Sequence, residues 1–342
     1  YAEYRMMLPP GLEFEDWSAR IRALVQGLRA AEEELMARGQ EGQRRLVFSL
    51  HRAEHSLTQH YDWLRRLQAS DVLVQQVLVG IDFCAVEEGH PPSAKVGFAE
   101  RLLADNKQNP ESALALLYHV GESFTDKSVE SACRWVYEAA QMGAHRLGHC
   151  LAVGIPARFF WGSERQESAG ERLATLQFLL EHRGALQARH SSFDWSAIQA
   201  EYDGLRSRLQ PVSSSELRAT SSPAQVSVTL RYDEQRCLQL AVLQDYILER
   251  LAGLAVVIES CPTSNLRIGG LQRPELHPLR RFLEAGIKVV LGSDDPGILD
   301  TSLATEFELI QGWPGIHAGH IAALQQTALQ STSARLAGRS MA

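Results

Sequence analysis

The sequence predicts an α/β fold, a TIM-type (β/α) barrel that lacks its first strand and carries a helical insertion after strand six. Three observations predict it. Short aliphatic runs alternate with longer helical patterns in the order β-α-β-α, which implies a parallel sheet. Several of these runs stop at His, Glu or Asp, most clearly at Lys288-Val289-Val290-Leu291-Gly292-Ser293-Asp294-Asp295-Pro296. Buried parallel strands deliver such groups to the C-terminal rim, where active sites of barrels sit. The strand candidates number seven, the first beginning at residue 1. A closed barrel takes eight, so the missing strand is expected on the N-terminal side.

The strands, in order, are Tyr1 to Met6, Leu46 to Leu50, Val77 to Phe83, Ala115 to His119, His145 to His149, Ala255 to Glu259 and Lys288 to Gly292. Helices are expected between them. Trp17 to Arg38 carries Ile21, Leu24, Val25 and Leu28 at helical spacing. Asp126 to Gln141 and His277 to Glu284 are two more. From about Trp161 to Leu251 no strand pattern is legible, while Glu171 to Glu181 and Asp233 to Leu251 read as helices around a Ser- and Thr-rich loop, Pro211 to Val226. The expected organisation is therefore barrel over 1–160, insertion over 161–251, and the last barrel strands with C-terminal helices over 252–342. The insertion is the candidate assembly surface for a homo-oligomer.

Composition bounds the function. A chain of 342 residues with 45% hydrophobic and 22% charged residues can build a sizeable core. The net charge of −7 argues against non-specific binding to nucleic-acid phosphates. The five cysteines are scattered with no Cys-x-x-Cys pair, so neither a zinc ribbon nor a disulfide framework is indicated, and a cytoplasmic setting is expected. No apolar stretch reaches membrane-spanning length and no signal peptide is legible.

The chemistry lies at the strand ends. Tyr118-His119-Val120-Gly121-Glu122 runs from a strand into a glycine turn, placing an imidazole at the tip and a carboxylate in the loop. His can ligate a metal and Glu can shuttle a proton beside it. His145-Arg146-Leu147-Gly148-His149 puts a second His before a turn, with His145 or Arg146 free to face outward. Ile258-Glu259-Ser260-Cys261-Pro262-Thr263-Ser264-Asn265 ends a strand in a polar loop. Each motif alone has a bland reading as a capping residue or a core histidine. Together, His119, Glu122, His149, Glu259, Asp294 and Asp295 form a convergent set of N and O ligands, a proton shuttle and an orienting carboxylate. That set suits metal-assisted hydrolysis. No P-loop is present, and His51-Arg52-Ala53-Glu54-His55, a His-x-x-Glu-His pattern, follows a strand and so reads as loop rather than protease.

The ordered motifs His-x-Gly-Glu, Arg-x-Gly-His, Glu-x-Cys-Pro-Thr-Ser-Asn and Ser-Asp-Asp-Pro resemble the adenosine deaminase family of the amidohydrolase superfamily, from Tyr1 to about Glu306 apart from the insertion. Within it, the chain resembles the large bacterial deaminases of anti-phage defence. The resemblance implies a zinc barrel in which a metal-bound hydroxide attacks C6 of adenine and ammonia leaves. It makes His119 and Asp294 zinc ligands and Glu122 the carboxylate that protonates the purine ring nitrogen. It makes His149 the group that orients and deprotonates the water, and Asp295 a contact to the imidazole side of the purine. The implied partner is a small purine nucleoside or nucleotide.

Two departures qualify this. The family's first strand carries His-x-His, two further zinc ligands, and no His-x-His occurs in this chain; Tyr1-Ala2-Glu3-Tyr4-Arg5 resembles the family's second strand. Where the family has a glycine whose N–H contacts the purine, this chain has Ala85. Alongside deamination of an adenine nucleoside or nucleotide, two other readings therefore stand: a deaminase-like scaffold without catalysis, and deamination of adenine within a polynucleotide.

Overall fold

The computed structural model describes residues 1–53, 56–209, 226–254, 256–271 and 273–339. Nine strands form among the described residues: β1 (Ala2–Met6), β2 (Arg44–His51), β3 (Leu78–Cys84), β4 (Ala115–Val120), β5 (Arg146–His149), β6 (Glu164–Ser168), β7 (Ser227–Arg231), β8 (Val257–Ser260) and β9 (Lys288–Leu291). Seven of them make one sheet in the order β1-β2-β3-β4-β5-β8-β9. Every ladder in it is parallel. These are the seven runs read from the sequence. Among the described residues no ladder joins β1 to β9, so the sheet is a barrel left open along one seam.

While β1, at the open edge, is only partly buried, β2 to β5, β8 and β9 form where aliphatic runs can be buried, as a parallel sheet covered by helices requires. Their outward residues pack against the surrounding helices in one large core that includes Trp17, Phe48, Ile81, Tyr118, Trp135 and Phe282. Inside the curl, Val47, Val79, Ala115 and Leu117 make a small apolar floor, closed by Ala334 of the helix Ser333–Leu336. Side chains alternate along a strand with period two, so Leu117 in the floor puts His119 one layer above it. The interior thus changes from apolar to charged on the way to the rim.

The helix Val129–Gln141 behind β4 starts later than its pattern suggested, because the Ser128 hydroxyl accepts from Ser131 N and caps it there. The helices Phe14–Ala37, Leu279–Glu284, Ala169–Glu181 and Glu234–Leu254 match the expected ones to within a few residues. The expectation of no strand in the insertion was wrong. β6 and β7 pair antiparallel there. Their sequences, Glu-Arg-Gln-Glu-Ser and Ser-Val-Thr-Leu-Arg, are mostly exposed and polar, so a ribbon standing clear of the core leaves no hydrophobic signal. Among the described residues, the same stretch also holds the helices Arg183–Arg189 and Trp195–Leu209. The expected Pro211 to Val226 loop lies outside the described residues up to 225, as do Glu54 and His55 of the His-x-x-Glu-His pattern. No helix among the described residues is long and apolar enough to cross a membrane.

Packing of the helices against the sheet is tight at Gly154, just beyond β5. A Cβ there would stand 2.1 Å from Pro278 Cβ and 2.7 Å from a ring carbon of Phe282. Gly154→Ala is expected to cost about 1–3 kcal/mol through overpacking, read as a lower denaturant midpoint. An unchanged midpoint would show that the Leu279–Glu284 helix moves aside freely.

Candidate active site

The charged layer inside the curl is built by residues from five strands. Arg5 of β1 donates to Glu259 of β8 at 2.7 Å and lies 3.9 Å from Asp82 of β3. Arg146 of β5 donates to Glu259 at 3.1 Å and to Glu3 of β1 at 3.0 Å, and its other terminal nitrogen donates to the Ser331 carbonyl. Burial opposes ionisation of Glu259, yet Arg5 and Arg146 outweigh it and hold its pKa below the usual carboxylate range. Two sequence-based readings change here. Arg146 points inward and is buried, because its guanidinium completes this ladder. Glu259 sits within the ladder, held by two arginines, where an orienting carboxylate at the rim had been expected. His145 is also engaged, its Nδ1 accepting from Leu116 N at 3.0 Å.

Above the ladder stand the two histidines. His119 lies one residue before the end of β4, with Nδ1 3.0 Å from the buried Asp82 carboxylate. That contact places the ring proton on Nδ1 and turns Nε2 toward the interior, the arrangement common to metal-ligating histidines. Nε2 lies 3.3 Å from the Arg5 guanidinium. His149 ends β5, its ring centroid 5.1 Å from that of His119. Its Nε2 is 3.3 Å from Glu122 Oε2.

A chain of hydrogen bonds sets the state of His149. Leu279 N donates to His277 Nδ1 at 3.1 Å, so His277 carries its proton on Nε2. His277 Nε2 donates to Asn265 Oδ1 at 3.1 Å, which fixes the amide's orientation. Asn265 Nδ2 then donates to His149 Nδ1 at 2.9 Å, leaving the His149 proton on Nε2, facing Glu122. Burial keeps this chain uncharged: it pushes the His277 pKa down to about 3 and lowers that of His149, against the pull of Glu122.

The remaining predicted residues lie on the rim loops. Glu122 follows β4; one carboxylate oxygen faces His149, and the other, Oε1, is buried without a hydrogen-bond partner. Asp294 follows β9 and is exposed at the mouth. His149, Cys261 and Asp294 each offer one ligand atom, and these lie within 4.8 Å of one another. Ala85 and Asp295 are exposed on the loops after β3 and β9. Ala85 adopts φ 68°, a left-handed conformation that favours glycine. The structure thus gathers His119, Glu122, His149 and Asp294, and leaves Ala85 and Asp295 on the outer rim.

Sequence reasoning passed over Arg5, Asp82, Cys261 and His277. A charged residue inside an otherwise aliphatic strand, as in Gly80-Ile81-Asp82-Phe83, was the available signal for Asp82. Nothing local marks His277, which acts through Asn265.

The interior donors are of the kinds zinc accepts: imidazole nitrogen, thiolate and carboxylate. With its tautomer set by Asp82, His119 fits a metal, and so does the His149, Cys261 and Asp294 group. Fewer than four of these can act together without moving Arg5 from His119 Nε2.

Residues 239–339 match the adenosine deaminase family model. An adenine deaminase of Rhizobium leguminosarum is 42% identical over 85 residues, 25% of this chain and 26% of the relative. An adenosine deaminase of Shewanella denitrificans is 34% identical over 90 residues, 26% of this chain and 27% of the relative. The match therefore spans about a quarter of the length of these relatives. Among solved structures, an amidohydrolase of Burkholderia ambifaria with bound zinc superposes with a TM-score of 0.55 at 14% identity, over 96% of this chain and 63% of its own. That likeness shows the fold, a partial (β/α) barrel.

The ladder yields a direct contrast. Arg5→Met leaves Asp82 and Glu259 short of a buried counter-charge and is expected to cost about 3–5 kcal/mol. Arg38→Met removes an exposed pair with Glu34 at 3.7 Å and is expected to cost well under 1 kcal/mol. Urea titration of both variants checks this; equal midpoints would mean that the ladder contributes no more than a surface pair.

Proposed function

We propose that the protein, whose residues 239–339 match the adenosine deaminase family model, hydrolytically deaminates an adenine nucleoside or nucleotide with the help of zinc. One observation carries the reading: Glu122 presents a buried oxygen with no partner, beside a neutral histidine of fixed tautomer. A buried unpaired oxygen is costly; with Glu122 protonated it is satisfied by donating to an acceptor nitrogen of a ligand. A purine ring nitrogen is such a group.

The roles follow from position. His119 and Asp294 hold the metal. Bound there, zinc would lower the pKa of water and so make a nucleophile available at neutral pH. Glu122 gives a proton to the ring nitrogen as water adds, and proton transfer of this kind is worth about 10²- to 10⁴-fold in rate. His149, kept neutral by burial, orients the water; with Nδ1 held by Asn265, it takes the water's proton at Nε2 only as the proton already there passes to Glu122, 3.3 Å away. Asp295 and the backbone N–H of Ala85 contact the purine from the rim. A scaffold without chemistry is the second reading, favoured by the Arg5 guanidinium at 3.3 Å from His119 Nε2.

Two variants test the assignment. Glu122→Gln should lower ammonia release from adenine, adenosine and AMP by about 10²- to 10⁴-fold while zinc, measured by elemental analysis, stays bound. Undiminished turnover would remove Glu122 from the proton path. Asp294→Ala should lose the zinc; full occupancy in that variant would take Asp294 out of the ligand set. Neither zinc nor ammonia release in the unmodified protein would favour the scaffold.

A further inference from the structure

Glu87, in the loop after β3, has no role in the chemistry above. It is 4% exposed. Its Oε1 accepts from Gly121 N at 2.9 Å, and its Oε2 accepts from Glu122 N at 3.2 Å and Ser123 N at 3.3 Å. Three successive backbone N–H groups thus converge on one buried carboxylate. Such a run of amides is an anion-binding concavity, here filled by the protein's own side chain. The turn that makes it possible has Gly121 at φ 69°, with Val136 Cγ2 2.8 Å from where a Cβ would stand.

The surroundings strengthen the clasp. Glu88 accepts from the Ser123 and Thr125 hydroxyls. In the reverse direction, Gly89 N donates to Asp126 at 2.8 Å. The fully buried Lys127 and the buried Arg52 supply positive charge to Glu87 and counter part of the cost of burying it, though burial still pushes its pKa up. The loops after β3 and β4 are therefore bound together, and the middle residue of the clamped turn is Glu122.

We infer that Glu87 is a positioning residue: by collecting the Gly121, Glu122 and Ser123 amides it fixes the turn that aims the Glu122 carboxylate at His149 and at the ligand. The catalytic consequence rests on the deaminase reading; the clamp itself does not. A misplacement of about 1 Å at a reacting group can cost on the order of 10²-fold in rate. Glutamine at this position has a single acceptor oxygen and an NH2 group that faces N–H donors, so it satisfies only part of the set and brings no charge.

The test has two arms. In Glu87→Gln, hydrogen exchange at the amides of residues 121–123 should speed up about 10- to 100-fold, the loss of a charge-assisted hydrogen bond; unchanged exchange overturns the clamp. In kinetics, Glu87→Gln should lower kcat about 10- to 100-fold with KM little changed, because the loss falls on the transition state. Added to Glu122→Gln, it should lower kcat no further; an additive loss shows that Glu87 does not act through Glu122 and overturns the positioning role. Should Glu87→Gln fail to fold, Glu87→Asp keeps the charge but falls one methylene short, and faster exchange is again expected, with unchanged exchange overturning the clamp. If the unmodified protein releases no ammonia from any adenine compound, the deaminase reading fails and the exchange arm alone decides the clamp.

Discussion

The interaction on which the rest depends is the buried ladder of Glu3, Arg146, Glu259 and Arg5. The sheet is open between β1 and β9, so no backbone ladder holds β1 against the far side of the curl. Arg5 and Arg146 do so with side chains, joining β1 to β8 and β5 across the interior. A buried ion pair alone is weak evidence of stability, since desolvation consumes most of the attraction. Here each charge meets at least one opposite charge, and Arg146 also reaches a backbone carbonyl. The arrangement fixes positions more than it adds stability. It sets where Arg5 and Asp82 stand, and those two set the proton and the orientation of His119.

How much of this was legible follows from which force built each part. Buried strands need aliphatic runs, so six of the seven sheet strands could be read from them, as could the His, Glu and Asp at strand ends, and the partly buried β1 was read beside them. β6 and β7 could not be read, because an exposed ribbon places no demand on hydrophobic pattern. Arg146 and Glu259 were misjudged for another reason. A charged residue in a strand looks the same whether it faces solvent, a ligand or a counter-charge brought from over a hundred residues away. The hydrogen-bond chain through His277 and Asn265 is equally invisible, since its links are tertiary.

The rim shows where the fold gives up local comfort for position. Ala85, His149, Cys150 and Asp294 all adopt left-handed φ, and each lies at or just past the C-terminal end of a sheet strand. Non-glycine residues held in sparsely populated backbone regions cost on the order of 1–3 kcal/mol each. Such strain persists only where packing and hydrogen bonds over-determine the conformation. His149 meets that condition through Asn265 and Glu122. Ala85 has a different source of constraint: two residues on, Glu87 is tied to the turn of the next loop, which leaves the intervening backbone little choice.

Two carboxylates only a few residues of loop apart in space are thus put to opposite uses. Glu87 is buried and both its oxygens accept from backbone amides of one turn, which ties it to the backbone rather than to the ligand. Glu122, carried on that turn, has one oxygen near a neutral histidine and one with no partner at all. The first is worth more to the fold the more completely it is satisfied, while the second is useful only because it is not. A site built this way separates rigidity from reactivity: the saturated carboxylate holds the backbone still, and the unsaturated one is left to meet the ligand.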